Sequence, residues 1–338
     1  MSQVLFLCKQ DHSYGSERGT FHGLVNSAHF IANFLTDRHA PSTVESVVDG
    51  DEIDAAVQAV NPLAVVIEAL WVTPEKLTEL VNMPEHRNRL WMVRVHSKSA
   101  FLAHEGVALE WIKSYPEQVV VCPNTRSMTK DLRALGVEAM YLPNVYNPVP
   151  YETHAYNRVR EDSELNIGCF GALRPLKNHL NQAIAAIRFA DKLGMPMKFH
   201  VNDTNGNPEN ASVLNNLEAA FDGTSHELIT HAWTSHRKFI DLVQKMDMGM
   251  QVSLSESFNL VAADFVNNHV PIVVSDEIDW LPRNCQVPPT ADSDEIARKM
   301  EYVWKYFYPG IERKCFRALD RYNGHARQNW WRIVKRLA

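Results

Sequence analysis

Two carboxylates flank the start of a predicted helix in the stretch SESFNLVAADF, which covers residues 255–265. Glu256 lies in a polar turn after an apolar strand, and Asp264 lies within a helix predicted over residues 258–268. Since residues eight apart are turned by about 80° on an ideal helix, the two acids do not share a face if both are helical. We therefore predict Glu256 in the loop, pointing into the crevice at the strand end, and Asp264 one to two turns along the helix.

Two carboxylates around a helix amino terminus suit a ligand rich in hydroxyl groups, because each carboxylate accepts bidentate hydrogen bonds. The helix end itself suits a phosphate. The alternative is that Glu256 only complements the helix dipole and that Asp264 is a solvated position. The stretch alone leaves both interpretations open.

Two cations precede another predicted helix in the stretch GCFGALRPLKNHL, residues 168–180. A strand runs into a turn at Gly171, and Arg174 and Lys177 follow just before a helix that begins near Asn178. Unpaired backbone N–H groups and the helix dipole add to the charge of these side chains, so the arrangement predicts an anion site. A basic helix start bathed in solvent is the alternative.

Short apolar runs alternate with longer amphipathic stretches, and this alternation predicts the elements that position the charged residues. Strands are predicted at residues 4–8, 63–69, 90–96, 118–123, 167–171, 197–202, 226–232, 248–254 and 270–275. The helices between them include residues 73–82, with Thr73 as cap and Pro74 in the first position, and a helix that ends on Gly194. Strand, helix and strand at this spacing imply doubly wound parallel sheets, which bind ligands at the carboxyl ends of their strands.

The alternation stops over residues 142–166, a linker rich in proline, asparagine and charged residues. It separates an amino-terminal domain, residues 1–150, from a carboxyl-terminal domain, residues 151–310, which a basic helix at residues 311–338 follows. We predict an α/β fold of two tandem Rossmann-like domains with parallel sheets.

The composition of the 338 residues, with 45% hydrophobic and 22% charged residues and a net charge of -6, is that of an ordinary folded protein. It does not indicate a polyanion partner. The five cysteines occur singly, without the close pairs of zinc or redox motifs, which predicts small buried thiols in a reducing compartment. A signal-peptide pattern and an apolar run of about 20 residues are both missing, so the chain is predicted to be cytoplasmic.

The order of these motifs resembles the retaining GT-B glycosyltransferases, the large group that includes sucrose synthase and glycogen synthase. A strand, a glycine and two cations before a helix are followed by Ser-x-x-Glu-x-Phe-x-Leu at residues 253–260, by a second acid and by VPIVVS at residues 270–275. The family carries two glutamates separated by seven residues, and Glu256 and Asp264 have that spacing. The resemblance implies the GT-B fold, with a cleft between the two domains.

The resemblance implies a role for each matched residue. In the family, the Arg and Lys neutralise the donor diphosphate, the first acid contacts the donor sugar near the reaction centre, and the second binds the ribose hydroxyls. The corresponding residues here are Gly171, Arg174, Lys177 and the segment Ser257, Phe258, Asn259 and Leu260 for the diphosphate, Glu256 for the sugar, and Asp264 for the ribose.

The amino-terminal half is similar to the family more loosely. The stretch VRVHSK places His96 where the family has a histidine that faces the donor sugar across the cleft, which implies a catalytic role. A structural histidine at a strand end is the alternative. Gly15, Gly19 and Gly23 resemble the family's glycine loop near the donor phosphate and the acceptor.

The sequence departs from the family pattern at several positions. The second acid is Asp264 where the family has glutamate, and SFN at residues 257–259 replaces the usual Gly-Phe-Gly. His269 stands where a glycine usually precedes the VPIVV segment.

The function that the resemblance implies is transfer of a sugar from a nucleotide-diphosphate sugar to an acceptor hydroxyl, with retention and without a metal or a further cofactor. The acceptor is left open between a glycan, a small molecule and a modified DNA base. No residue of the sequence stands out as a covalent nucleophile.

Two alternatives stay open. One is a glycosyltransferase that acts on a hydroxylated DNA base, with the basic tail HARQNWWRIVKRL facing a phosphate backbone, although a surface helix with Trp330 and Trp331 turned inward also fits that pattern. The other is a nucleotide-binding or interaction protein that keeps the fold without catalysis.

Overall fold

The computed structural model describes residues 3–10, 22–148, 164–203 and 208–337. The chain divides into two compact units. The first comprises Met1–Pro148 together with Asn323–Ala338, and the second comprises Val149–Tyr322.

The described part of the first unit holds a parallel five-stranded sheet in the order β2-β1-β3-β4-β5. The strands are β1 (Val4–Lys9), β2 (Ser42–Val47), β3 (Ala64–Glu68), β4 (Leu90–Val95) and β5 (Val119–Pro123). The helices are α1 (His22–Asp37), α2 (Ile53–Val60), α3 (Pro74–Asn82), α4 (Ser99–Leu102), α5 (Ala108–Ser114) and α6 (Arg126–Ala134). Alternate residues of the central strands, such as Leu5, Val65 and Trp91, pack into one core with α2 and α3.

The described part of the second unit holds a parallel six-stranded sheet in the order β11-β10-β9-β6-β7-β8. The strands are β6 (Leu165–Gly168), β7 (Met197–Asn202), β8 (Glu227–His231), β9 (Met248–Gln251), β10 (Ile272–Ser275) and β11 (Gln286–Val287). The helices are α7 (His179–Leu193), α8 (Pro208–Phe221), α9 (His236–Val243), α10 (Leu260–Asn267), α11 (Ser293–Tyr306) and α12 (Glu312–Leu337). Residues of α12 up to Tyr322 belong to the second unit and those from Asn323 to the first.

The predicted fold class, two α/β domains with parallel sheets, is confirmed, and so are the helix signals that the sequence carries. Thr73 caps α3 by accepting a hydrogen bond from the amide of Lys76, and Pro74 is the first helical residue. Gly194 ends α7 in a left-handed conformation with φ of 70°. The prediction of buried thiols is also confirmed, because all five cysteines are free and buried.

The strand predicted over residues 248–254 is shorter than predicted, since β9 ends at Gln251. The amide of Val252 donates to Oε1 of Gln182 on α7 instead of to a neighbouring strand. The chain therefore leaves the sheet three residues earlier than predicted, before the turn that carries Glu256.

The central strands β6 and β9 are neighbours, and the chain leaves them in opposite directions. It passes from β6 through α7 to β7 on one side, and from β9 through α10 to β10 on the other. Right-handed crossovers place these two helices on opposite faces of the sheet, and α7 packs against α8 and α11 while α10 packs against α9. The carboxyl ends of β6 and β9 thus form the switch point at which open α/β sheets bind ligands.

Glycines bring α10 directly onto these two strands. A Cβ built at Gly249 of β9 would lie 2.7 Å from the ring of Phe265, and one at Gly168 of β6 would lie 3.0 Å from it. Because any side chain at Gly249 would push the ring away, the position of Phe265, and with it that of the adjacent Asp264, depends on this glycine.

Candidate functional site

The loop after β6 turns sharply and then starts a helix. Gly171 adopts φ of 119°, which side-chain-bearing residues rarely do, and its amide donates to Oδ1 of Asn202 at 2.8 Å. A short 3₁₀ turn over Pro175–Lys177 follows, and Asn178 then adopts the left-handed conformation with φ of 58° just before α7. Lys177 is thereby held at the amino terminus of α7, as predicted.

Three hydrogen bonds tie this loop to the loop after β9. The amide of Leu254 donates to the carbonyl of Leu176 at 2.8 Å, and Nδ2 of Asn178 donates to the carbonyl of Val252 at 3.2 Å. The amide of Val252 donates to Gln182 at 2.7 Å, and Gln182 also donates to the carbonyl of Lys177 at 2.8 Å. The two charged loops are therefore held side by side by hydrogen bonds between uncharged groups and do not rely on their charges alone.

Lys177 and Glu256 meet at the switch point. Nζ of Lys177 donates to Oε2 of Glu256, although the two residues are 79 positions apart in the chain. Glu256 lies in the loop before α10, which confirms that part of the prediction. The structure thus brings together one of the two predicted diphosphate cations and the predicted sugar-binding acid.

The carboxyl group of Glu256 is held in its ionised form. Burial acts to raise its pKa, but the Lys177 ammonium, the amide of Ser257 and the side chain of Asn259 overcome this effect and hold the pKa below its usual value. Oγ of Ser253 lies 3.4 Å from the same carboxylate. A carboxylate with these donors is an acceptor of further hydrogen bonds and not a proton donor at neutral pH.

Asn259 occupies the position of the second glycine of the family's Gly-Phe-Gly segment. Its φ of 60° lies in the region that favours glycine and that asparagine tolerates better than most residues. Its Oδ1 accepts from the amide of Ala262 at 2.8 Å, and its Nδ2 donates to Gln251 at 2.8 Å and to Glu256 at 3.0 Å. The predicted helix start at residue 258 is corrected to Leu260, because Asn259 is the cap.

Phe258 and Leu260 complete the predicted phosphate segment. The ring of Phe258 is buried and stacks on Trp280 and Tyr322, while its carbonyl accepts from Nε1 of Trp280 at 2.7 Å. Leu260 is the first residue of α10. Phe258 and Leu260 have apolar side chains, so only their backbone groups are suited to a polar ligand.

Asp264 lies in the second turn of α10 and is buried, so the alternative of a solvated position is wrong. Its Oδ1 lies 2.9 Å from Nε2 of His236, the first residue of α9. Sequence reasoning missed His236, since nothing in the segment WTSHRKF marks that histidine as the partner of an acid 28 positions away.

Arg174, the other predicted cation, is exposed and precedes the 3₁₀ turn. Its carbonyl accepts from the amide of Lys177 at 2.9 Å. The structure places it in the same loop as Lys177, and its contact with a diphosphate stays a prediction.

His96 follows β4 in the first unit, where it belongs to a buried ionic network that the sequence did not predict. Its Nε2 lies 2.6 Å from Oε2 of Glu68, and Nη1 of Arg94 donates to both oxygens of the same carboxylate at 2.9 and 3.0 Å. Arg94 also donates to Asn144 at 2.7 Å and lies over the ring of Trp330. Burial has the largest effect on the pKa of His96 and lowers it, and the charge of Arg94 lowers it further. Glu68 acts in the opposite direction and raises this pKa.

The predicted loop residues Gly15 and Gly19 lie outside the described residues, and Gly23 is in α1. Two further kinds of feature are missing from the described ranges. No group of three or more His, Cys, Asp or Glu side chains there is placed to hold a metal ion. No helix in that part of the chain has the length and apolarity of a membrane span.

Comparison with known proteins gives matches among solved structures. Neither a protein-family model nor a curated protein matches the sequence. A glycosyltransferase from Rickettsia africae shares 10% identity over 99% of this chain and 98% of its own, with a TM-score of 0.64. HepE of Anabaena, solved with UDP and glucose, shares 12% identity over 100% and 98% of the two chains, with a TM-score of 0.62.

A third similar structure is an α,α-trehalose-phosphate synthase (UDP-forming) from Burkholderia xenovorans, solved with glucose-6-phosphate. It shares 15% identity over 85% of this chain and 77% of its own, with a TM-score of 0.61. At these identities the likeness concerns the fold. The chain has the GT-B fold that its motifs led us to expect.

Proposed function

We propose that this protein is a glycosyltransferase that moves a sugar from a nucleotide-diphosphate sugar to an acceptor hydroxyl. The observation that carries the proposal is the contact between Lys177 and Glu256 at the carboxyl ends of β6 and β9. It joins a cation suited to a diphosphate and a carboxylate suited to sugar hydroxyls, at the place where such a sheet binds its ligand.

The diphosphate binds between the two loops. Lys177 and Arg174 supply positive charge, and the backbone N–H groups at the starts of α7 and α10 add their dipoles. When the bond between sugar and phosphate breaks, negative charge grows on the leaving diphosphate, and fixed cations stabilise that charge without reorganising. These groups supply the positive charge of the reaction, so the proposal calls for no metal.

The sugar lies against Glu256. Its carboxylate is ionised and is already oriented by Lys177 and Asn259, so it accepts hydrogen bonds from sugar hydroxyls in a fixed geometry. We assign no covalent nucleophile. The acceptor hydroxyl attacks from the face that the phosphate leaves, with the departing phosphate as its base, and the configuration of the sugar is retained.

UDP-sugars are the first donors to test, because two of the similar solved structures are described with UDP or as UDP-forming. A thermal-shift panel of UDP-, GDP-, ADP- and TDP-sugars identifies the donor, and we expect one nucleotide class to raise the melting temperature. A uniform lack of stabilisation contradicts the proposal.

Catalysis is tested by donor hydrolysis and transfer with the donor that binds. We expect Glu256→Gln and Arg174→Ala to lose most activity. The matched controls are Glu218→Gln on α8, an exposed acid, and Arg188→Ala on α7, whose side chain is 55% exposed, and both keep it. Loss in the controls, or activity retained in Glu256→Gln, contradicts the assignment of this site. Absence of hydrolysis and transfer by the wild type argues for a non-catalytic protein. The anomeric form of the first product, read by NMR, tests retention.

A modified DNA base is the second candidate acceptor. Arg332, Lys335 and Arg336 are exposed on the last turns of α12, whereas Trp330 is buried and donates to the carbonyl of Pro143. If these cations face duplex DNA, binding falls steeply as salt rises. Absence of binding, or binding that salt does not weaken, removes this candidate.

A further inference from the structure

The acid predicted to hold the ribose is almost inaccessible. Only 3% of the Asp264 side chain is exposed, and its Oδ1 is 2.9 Å from Nε2 of His236. By comparison, 16% of the His236 side chain is exposed. A carboxylate that binds a ribose diol directly needs its oxygens at the surface, and in this pair the imidazole is the more exposed group.

His236 lies at the edge of the sheet that the carboxyl ends of its strands form. It is the first residue of α9, and the loop Ala232–Ser235 separates it from the carboxyl end of β8. Helix α9 packs against α10, whose amino terminus follows the Glu256 loop. The imidazole thus stands on the same side of the sheet as α10, beside the helix that carries the rest of the predicted donor site.

The bond to Asp264 gives the ring a defined chemistry. A carboxylate that accepts Nε2–H fixes the ring orientation and the tautomer, and in that tautomer Nδ1 is a hydrogen-bond acceptor. A ribose hydroxyl is a donor of the matching kind. Aspartate is one methylene shorter than the glutamate of the family, and the imidazole restores and extends the reach that the shorter side chain loses.

We propose that His236 contacts a ribose hydroxyl of the nucleotide, and that Asp264 is a positioning residue that acts through His236. This inference rests on the proposed function, because it needs a nucleotide in the site. It moves the ribose contact from the helix α10 to the start of α9.

The test compares ribonucleotides with deoxyribonucleotides. Calorimetry gives the affinities of UDP, GDP and ADP and of their 2′-deoxy and 3′-deoxy counterparts for the wild-type protein, for His236→Ala and for His325→Ala, an exposed control on α12. One neutral hydrogen bond corresponds to a factor of about three to ten in affinity. We expect the wild type and the control to prefer the ribonucleotide to one deoxy counterpart by such a factor, and His236→Ala to bind the two equally.

A purely structural role of His236 would weaken both nucleotides together and leave their ratio unchanged, which overturns the inference. A ratio that persists in His236→Ala and disappears in Asp264→Asn returns the ribose contact to Asp264. If the wild type binds none of the nucleotides, the proposed function fails together with the inference, and this outcome is distinct because it appears without any substitution.

A second measurement follows the ring of His236 in the unsubstituted protein, and a variant is needed only to assign its signals. In protein labelled with ¹⁵N-histidine, with the His236 signals assigned from His236→Gln, the Nδ1 resonance should move on addition of the bound ribonucleotide. It should move much less with the deoxy counterpart that lacks the contact. Equal movement with both nucleotides overturns the inference.

Discussion

Asn259 donates from Nδ2 to Oε2 of Glu256 at 3.0 Å while its backbone holds φ of 60°. The same side chain caps α10 at the amide of Ala262. A glycine at this position would supply the backbone conformation alone. Asparagine supplies the conformation, the cap and a donor to the carboxylate.

Replacement of Asn259 separates these contributions. Asn259→Gly keeps the backbone conformation and loses the side-chain bonds, whereas Asn259→Ala loses the same bonds and must also adopt positive φ. A positive φ costs a residue with a Cβ about 1–2 kcal/mol, and alanine is also the poorer cap. We expect the alanine variant to be about 1–2 kcal/mol less stable than the glycine variant in urea unfolding at neutral pH. Equal stabilities of the two variants contradict this account.

Lys177→Met tests the ion pair. It leaves the carboxylate of Glu256 largely buried without its cation, which we expect to cost about 1–3 kcal/mol at about pH 7. The double variant Lys177→Met/Glu256→Gln should recover part of that loss, because no uncompensated charge is left. A double variant as unstable as the sum of its two single variants would show that the residues do not interact.

The same pair predicts a pH dependence. In the folded protein the pKa of Glu256 lies below its usual value, so the unfolded chain takes up the proton first as the pH falls. The pair therefore stabilises the protein above the unfolded-state pKa, and this contribution is lost as the pH falls through the folded-state pKa. The difference in the free energy of unfolding between wild type and Lys177→Met should therefore shrink as the pH falls from about 7 to about 3. A constant difference contradicts the claim that Lys177 stabilises the ionised form of Glu256.

The fold could be predicted because it depends on local signals. The alternation of apolar runs and amphipathic stretches gave both parallel sheets, and Thr73, Pro74 and Gly194 mark helix ends through bonds to near neighbours in the chain. Glu256 was placed in the loop by helix geometry alone. These features need no knowledge of which elements pack together.

The partners of the charged residues could not be predicted, because tertiary packing selects them. Asp264 pairs with His236 and not with solvent, and Arg94 crosses from β4 to Glu68 on β3 although its own strand is otherwise apolar. His269 is a related case. It adopts φ of 58° where the family has glycine. Its Nδ1 lies 2.7 Å from Oε1 of Glu312. Residue types show that such groups need partners but not which ones they take.

His179, the first residue of α7, makes the protein sensitive to acid. Burial, with a smaller effect of Lys177, lowers its pKa to about 3. The unfolded chain binds this proton from about pH 6.5 downward, so the folded state loses up to about 1.4 kcal/mol per pH unit below that point. As the pH falls from about 7 to about 5, we expect the free energy of unfolding of His179→Leu to decrease by about 2 kcal/mol less than that of the wild type. Urea unfolding at both pH values measures this difference. The exposed His325→Leu serves as control, and equal losses in all three proteins contradict the prediction.

The buried network around His96 gives the last prediction. Arg94 and Glu68 are both fully buried, so Arg94→Met leaves a buried carboxylate with His96 as its remaining ionisable partner, at a cost of about 3–5 kcal/mol. Arg94 is also one of the groups that lower the pKa of His96, so that pKa should rise in the variant while Glu68→Gln should lower it further. NMR titration of the ring protons measures both shifts. Arg94→Met/Glu68→Gln removes both charges and should be more stable than Arg94→Met alone. A double variant that is the less stable of the two contradicts the claim that Arg94 stabilises the protein by compensating the charge of Glu68.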